Sequence, residues 1–191
     1  MTAGDEGYQT DTDTAYRYDG TTWSEQSSSG LALVATQSFT SVTSVELDNI
    51  FDSSDTTYLI ELACTGTASN VSLILRTSGS TDVTSGYDFT TLIARNATVI
   101  SATSASQSSW AIAPISNTVI QMEATLTNAA QAAPTRLTAS GGAHSNPAVS
   151  NSSNAMTQAF ASHQASTAYA GIRVAFSATQ TGEISVYALA R

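Results

Sequence analysis

Residues 42–77, VTSVELDNIFDSSDTTYLIELACTGTASNVSLILRT, constrain the fold more than any other stretch. Apolar and polar residues alternate through VTSVEL, TYLIELAC and NVSLILRT, and polar or small-residue turns separate the three runs. Period two buries one face of a strand and leaves the other wet. Three such runs in succession commit this part of the chain to sheet. The stretch is good core, and it carries no catalytic motif.

The rest of the sequence continues the pattern. GLALVATQSF, from Gly30, reads as the strand before VTSVEL, and YDFTTLIAR as the strand after the loop TSGSTDVTSG. In NTVIQMEATLTN, Ile120, Met122, Ala124 and Leu126 fall on one face, and Val119, Gln121, Glu123 and Thr125 on the other. AYAGIRVAFSA and EISVYALAR read as the last two strands, joined by the turn TQTG. ATVISATSASQSSW is strand-like at Val99 and Ile100 and loop-like through its serines. AAQAAPTR fits a helical turn or a loop ended by Pro134. MTQAFASHQA fits helical spacing through Met156, Phe160 and His163, and fits a strand equally well. Roughly eight to ten strands, with turn signals about every 8–12 residues, predict an all-β chain. The expected architecture is a jelly-roll-like antiparallel β-sandwich over residues 30–191.

Residues 1–29 read differently. MTAGDEGYQTDTDT is polar and acidic, as expected of an arm. AYRYDGTTWSE follows, with Tyr16 and Tyr18 alternating, a two-residue turn at Asp19 and Gly20, and a return beginning near Trp23. Asp-Gly tolerates the positive φ that a type I′ turn requires, so a β-hairpin is predicted. A lone hairpin is marginal in water. Its aromatics are therefore expected to pack against the main domain or a neighbouring subunit, making this an attachment element.

Charge narrows the partners. The 191 residues include six arginines, no lysine and fifteen carboxylates, for a net charge of −9. Only 11% of residues are charged, against about 25% in an average domain. The polar surface is instead hydroxyl, from 29 serines and 29 threonines. An acidic chain with scattered arginines does not suit nucleic acid, which needs clustered positive charge, nor an anionic membrane surface. No stretch approaches the roughly 20 apolar residues of a spanning helix. Met1 is followed by TAGDEG, which lacks a basic segment and an apolar run, so no signal peptide is expected.

Candidate chemistry is sparse. His144 and His163 both lie beside serines, but no G-x-S-x-G elbow presents a nucleophile. Both histidines are expected at the surface or in loops. The aspartates sit in turn-like sequence, and neither DTDT at 11–14 nor DSSD at 52–55 follows the calcium-loop pattern. No zinc spacing and no phosphate-binding glycine loop occurs. The expectation is a protein with no enzymatic activity, no cofactor and no metal. Cys64, alone in an apolar run, reads as a small buried hydrophobe. Trp23, Trp110, Tyr87 and Tyr169 admit two readings: aromatic platforms for a glycan or a partner, or residues of the core or a subunit interface.

The segment DTDTAYRYDGTTWSE resembles a D-T…Y-x-Y-D-G-T-x-W segment of tail-fibre and other virion-appendage proteins of tailed bacteriophages. The Gly-Leu strand after it, the N-x-F turn in SVELDNIFDSSDTTYLIELA, and the final G-x-I-S-V-Y-A-L of residues 182–189 are similar to the same proteins. Together these cover about half of the chain. Two features depart from the pattern: the turn before Tyr58 lacks an aromatic often found there, and no fibrous shaft precedes the hairpin. A head or cap without a stalk is therefore expected. The resemblance implies a structural virion protein, most simply a homotrimer, attached to other virion proteins and displayed on the particle surface. There, loops 77–86 and 141–154 would face outward towards host-cell carbohydrate. A capsid decoration protein and a free carbohydrate-binding module are the alternatives.

Overall fold

The computed structural model describes residues 6–9, 14–18, 20–26, 30–67, 70–95, 98–114, 119–144 and 155–189. Among them there is no helix, and the fold is all-β as expected. Three short strands, β1 (Glu6–Gln9), β2 (Thr14–Tyr18) and β3 (Trp23–Gln26), form a small antiparallel sheet. Ten further strands form one large sheet that curls until it nearly closes. They are β4 (Leu31–Leu47), β5 (Thr57–Gly66), β6 (Asn70–Arg76), β7 (Tyr87–Arg95), β8 (Thr98–Gln107), β9 (Trp110–Pro114), β10 (Val119–Thr127), β11 (Thr135–His144), β12 (Ala155–His163) and β13 (Gly171–Leu189).

The organising strand is β13. Along one edge it pairs with β4, from Ile172 opposite Leu47 to Leu189 opposite Leu31. Along its other edge it takes two partners in turn. Residues 171–176 pair with β6, and residues 180–188 pair with β5. β5 and β6 thus run in line along β13. All three tracks break at one level. In β4, Ser41 has a φ of 53. In β13 the register shifts between Ala175 and Gln180, and again between Gln180 and Gly182. β5 stops at Gly66, and β6 begins at Asn70. Bulges of this kind bend a sheet and let one strand serve two layers.

The two layers follow from this corner. One runs β8-β7-β12-β11-β10-β5 and ends on the second half of β13. The other consists of the first half of β13 with β6 and β9 on one side and the end of β4, Ser44–Leu47, on the other, while the start of β4 borders the first layer. β9 lies over β7 and β12: the Trp110 indole N–H donates to the Ser162 carbonyl at 3.1 Å, and Thr91 Oγ1 donates to the Ala111 carbonyl at 3.1 Å. Between the layers sit Ile60 and Leu62 of β5, Leu73 and Leu75 of β6, Ile120 and Leu126 of β10, and Ile172, Val174, Ile184 and Val186 of β13. Each such side chain contributes about 1.5–3 kcal/mol on burial.

The structure corrects several expectations and decides between the alternatives left open in others. TQTG is not a turn between two strands, because Gln180 is buried and the strand continues through it. GLALVATQSF and VTSVEL are likewise one strand, β4. MTQAFASH is strand β12, with Ala155, Thr157 and Ala159 inward and Met156, Gln158 and Phe160 outward. In AAQAAPTR, residues 129–133 form turns and bends, the loop alternative, and Thr135 and Arg136 already belong to β11. Part of the expected arm, Glu6–Gln9, is a strand paired with β2. The hairpin of β2 and β3 is present, but Tyr18 pairs with Trp23, so its connection spans four residues rather than two. Gly20 within it has φ 108, while Asp19 lies outside the described residues.

Gly182 marks the tightest approach at the corner. A Cβ there would lie 2.1 Å from the Ala63 carbonyl oxygen and 2.6 Å from Cys64 Cα. Gly182→Ala is expected to lose about 1–3 kcal/mol through overpacking against backbone. Gly30→Ala, with no atom within 4 Å of the added carbon, should be nearly neutral. Urea unfolding of both variants checks the contrast.

Candidate functional site

The sequence-predicted aromatic platforms converge, but in the interior. Tyr87 opens β7 and pairs in register with His163, which closes β12. Trp110 opens β9, and Tyr169 lies in the segment leading into β13. Tyr87 and Trp110 are fully buried, and Tyr169 is 3% exposed. Tyr87 meets Trp110 edge-on at 5.1 Å and His163 at 4.8 Å, and His163 meets Tyr169 at 5.4 Å. Such edge-to-face contacts add to the burial of the rings themselves. None of these three residues offers a ring face to a sugar or a partner, so of the two readings the core one holds for them. Burial won because these rings fill the space between β9 and the β7–β12 pair.

His163 also departs from expectation, since it is 3% exposed. Its Nε2 lies 2.8 Å from the Ser85 carbonyl, and its Nδ1 lies 2.8 Å from the Tyr169 hydroxyl. A carbonyl can only accept, so Nε2 donates, and in the neutral ring Nδ1 then accepts from the phenol. Gly86, at φ 85, brings the backbone close: a Cβ there would lie 3.1 Å from Nε2. Tyr87 Oη accepts from the Leu75 amide at 2.8 Å. Both nitrogens of the imidazole are occupied, leaving neither for a serine. This constellation ties the loop before β7 and the segment before β13 to the core. His144 ends β11 opposite Val119.

A second polar cluster holds the loop after β6. Arg76 is 5% exposed and forms ion pairs with Glu46 at 2.8 Å, Asp48 at 3.3 Å and Asp82 at 3.2 Å. It also donates to the Ser80 carbonyl. Arg173 adds contacts with Asp82 at 2.5 Å and Glu46 at 3.8 Å. The Val83 amide donates to the Leu75 carbonyl at 2.9 Å. Loop 77–86 is therefore tied back to the sheet at Ser80, Asp82 and Val83, while residues 78–81 and 84–85 stay exposed. Of the other predicted loop, residues 141–144 belong to β11, and 145–154 lie outside the described residues.

The remaining candidates are structural. The Asp52 carboxylate accepts from the Ser54 amide at 2.8 Å and the Ser54 hydroxyl at 2.9 Å, which lowers its pKa. The Tyr58 hydroxyl accepts from the Asp52 amide at 2.6 Å and donates to the Asp52 carbonyl at 3.0 Å, anchoring the same turn. Among the described residues no group of three or more histidine, cysteine, aspartate or glutamate side chains could hold a metal ion. Burial pushes the Cys64 thiol up to about 11. In the hairpin, Tyr18 and Trp23 pack at 5.4 Å, and Trp23 remains 41% exposed. Tyr16 lies in β2.

Open surface occurs instead on the outer face of the large sheet. Register places Glu183, Ala63, Gln121, Gly142 and Met156 in one row across five strands. Ser185, Glu61, Glu123, Ser140 and Gln158 form the next. All of these but Gln158, which lines an adjoining depression, border a trough of about 550 Å³. Smaller depressions of about 140 and 470 Å³ share walls with it or with each other through Glu123, Ser140 and Phe160. The signal that could have found this face was period two in MTQAFASH, which puts Met156, Gln158 and Phe160 on one side. No family model matches the sequence, and no curated protein matches it.

Two measurements test the interior assignments. Arg76→Ala strands partly buried carboxylates and is expected to cost about 2–4 kcal/mol, below the upper range for a buried pair because those carboxylates retain some solvent. Urea unfolding measures it. Burial raises the pKa of Tyr58, Tyr87 and Tyr169 above the ordinary 10.0. Neutral phenols thus favour the fold, and this stability is present below pH about 10 and falls as pH rises through the raised values. Phenolate absorbance of these three should appear together with unfolding, not before it.

Proposed function

We propose that the chain is a structural component of a tailed-bacteriophage virion, displayed on the particle surface and working by assembly and contact rather than catalysis. The observation that carries this reading is the character of the sheet edges. Among the described residues β4 pairs only with β13, and β8 only with β7. Leu31, Leu33 and Val34 of β4 and Val99 and Ile100 of β8 are exposed. Residues 31–42 and 98–107 contain no charge, in a chain of net charge −9. Long, apolar, uncharged edges are what a monomer avoids and an assembling subunit uses.

Pairing β4 of one copy with β8 of the next is a heterologous contact, which closes a ring when the rotation allows. A homotrimer is the proposed ring, with the β2–β3 hairpin as its attachment to other virion proteins. The resemblance of residues 11–25 and 44–63 to phage appendage proteins supports the same reading. So does the internal use of His163, Tyr169 and Arg76, which leaves these groups no outside substrate.

Leu33→Lys and Val99→Lys should each convert the assembled protein to monomer without loss of fold, measured by light scattering and circular dichroism. In purified particles, quantitative mass spectrometry of separated heads and tails should find a few copies on tails. Many copies on heads would favour the capsid-decoration alternative, and absence from particles would overturn the virion reading.

A further inference from the structure

We infer that the outer face of the large sheet is a glycan-binding groove, and that its ligand is an oligosaccharide bearing free amino groups. This rests on the surface-displayed reading above and gives it a site that the buried Trp110, Tyr87 and Tyr169 cannot supply. The groove exists because Gly142 has no side chain and nothing within 4 Å of where one would be. Beside it Met156 is 71% exposed, and Phe160, in the adjoining depressions, is 47% exposed. Exposed apolar side chains beside amides and hydroxyls suit sugar rings, which have apolar faces and hydroxyl edges. Gln121, Ser140 and Gln158 provide those polar groups.

Charge selects among sugars. Glu61 and Glu123 stand directly opposite each other on β5 and β10, and neither has an ion-pair partner among the described residues. Like charges in direct cross-strand register destabilise a sheet. Glu183 lies in the same trough, with one oxygen accepting from Ser38 at 3.0 Å. A ligand ammonium placed between Glu61 and Glu123 would relieve their repulsion and gain charge-assisted hydrogen bonds. An anionic glycan would be repelled.

The test is isothermal calorimetry on the intact protein at low salt with three probes: a fully deacetylated glucosamine tetramer, its N-acetylated counterpart, and a galacturonate tetramer. The deacetylated tetramer should bind most tightly and the galacturonate not at all. Phe160→Ala and Glu123→Gln should each weaken binding about tenfold or more, while Trp23→Ala leaves it unchanged. Because Glu123→Gln removes a like-charge contact, its Tm should be equal to or above that of the parent, separating loss of binding from loss of fold. No binding of the deacetylated tetramer at millimolar concentration, a preference for the N-acetylated or anionic probe, or binding indifferent to both groove variants would overturn the inference. None of these outcomes bears on where the protein sits in a particle, so this inference and the virion reading fail separately.

Discussion

Pairing of β13 with β4 along its length, while its other edge passes from β6 to β5, is the interaction on which the rest of the structure depends. It places two strands, β13 and β4, in both layers. The core residues Ile172 and Val174 on one side of the corner and Ile184 and Val186 on the other then belong to a single backbone segment. Glycine at 182 permits the contact with β5 that this requires. Without the corner, β6 and β9 would have no sheet to cover.

The polar chemistry of the interior serves the same architecture. Arg76 joins the end of β4, the end of β6 and the loop at Asp82. His163 joins β12, the backbone before β7 and Tyr169. Desolvating such groups is costly unless they are paired. Both clusters meet that cost with several partners, and both pin segments that lie outside the named strands. The outer sheet face has the opposite character, with Glu61 and Glu123 opposed and without ion-pair partners among the described residues, and Met156 and Phe160 uncovered.

The fold class was legible because alternation in residues 58–64, 71–76 and 119–127 reports burial directly. Continuity of strands was not. TQTG has turn composition, yet Gln180 is buried at a bulge, and only the pairing of residues far apart in sequence makes the segment extended. Which of the two readings of the aromatics holds was hidden for a related reason. Aromatic identity does not reveal which face of a strand a residue takes, and Trp110 and Tyr87 fall inward. In β12 small inward residues, Ala155 and Ala159, weakened the apolar signal while Met156 and Phe160 pointed out.

Native-state hydrogen exchange tests most directly whether β13 is one continuous strand shared by two layers. A shared strand requires that amides in residues 171–176 and 180–188 exchange at the same slow rate, through one global opening. Loss of protection at residues 180–182, with the flanking segments opening at different free energies, would contradict it and restore the two-strand hairpin.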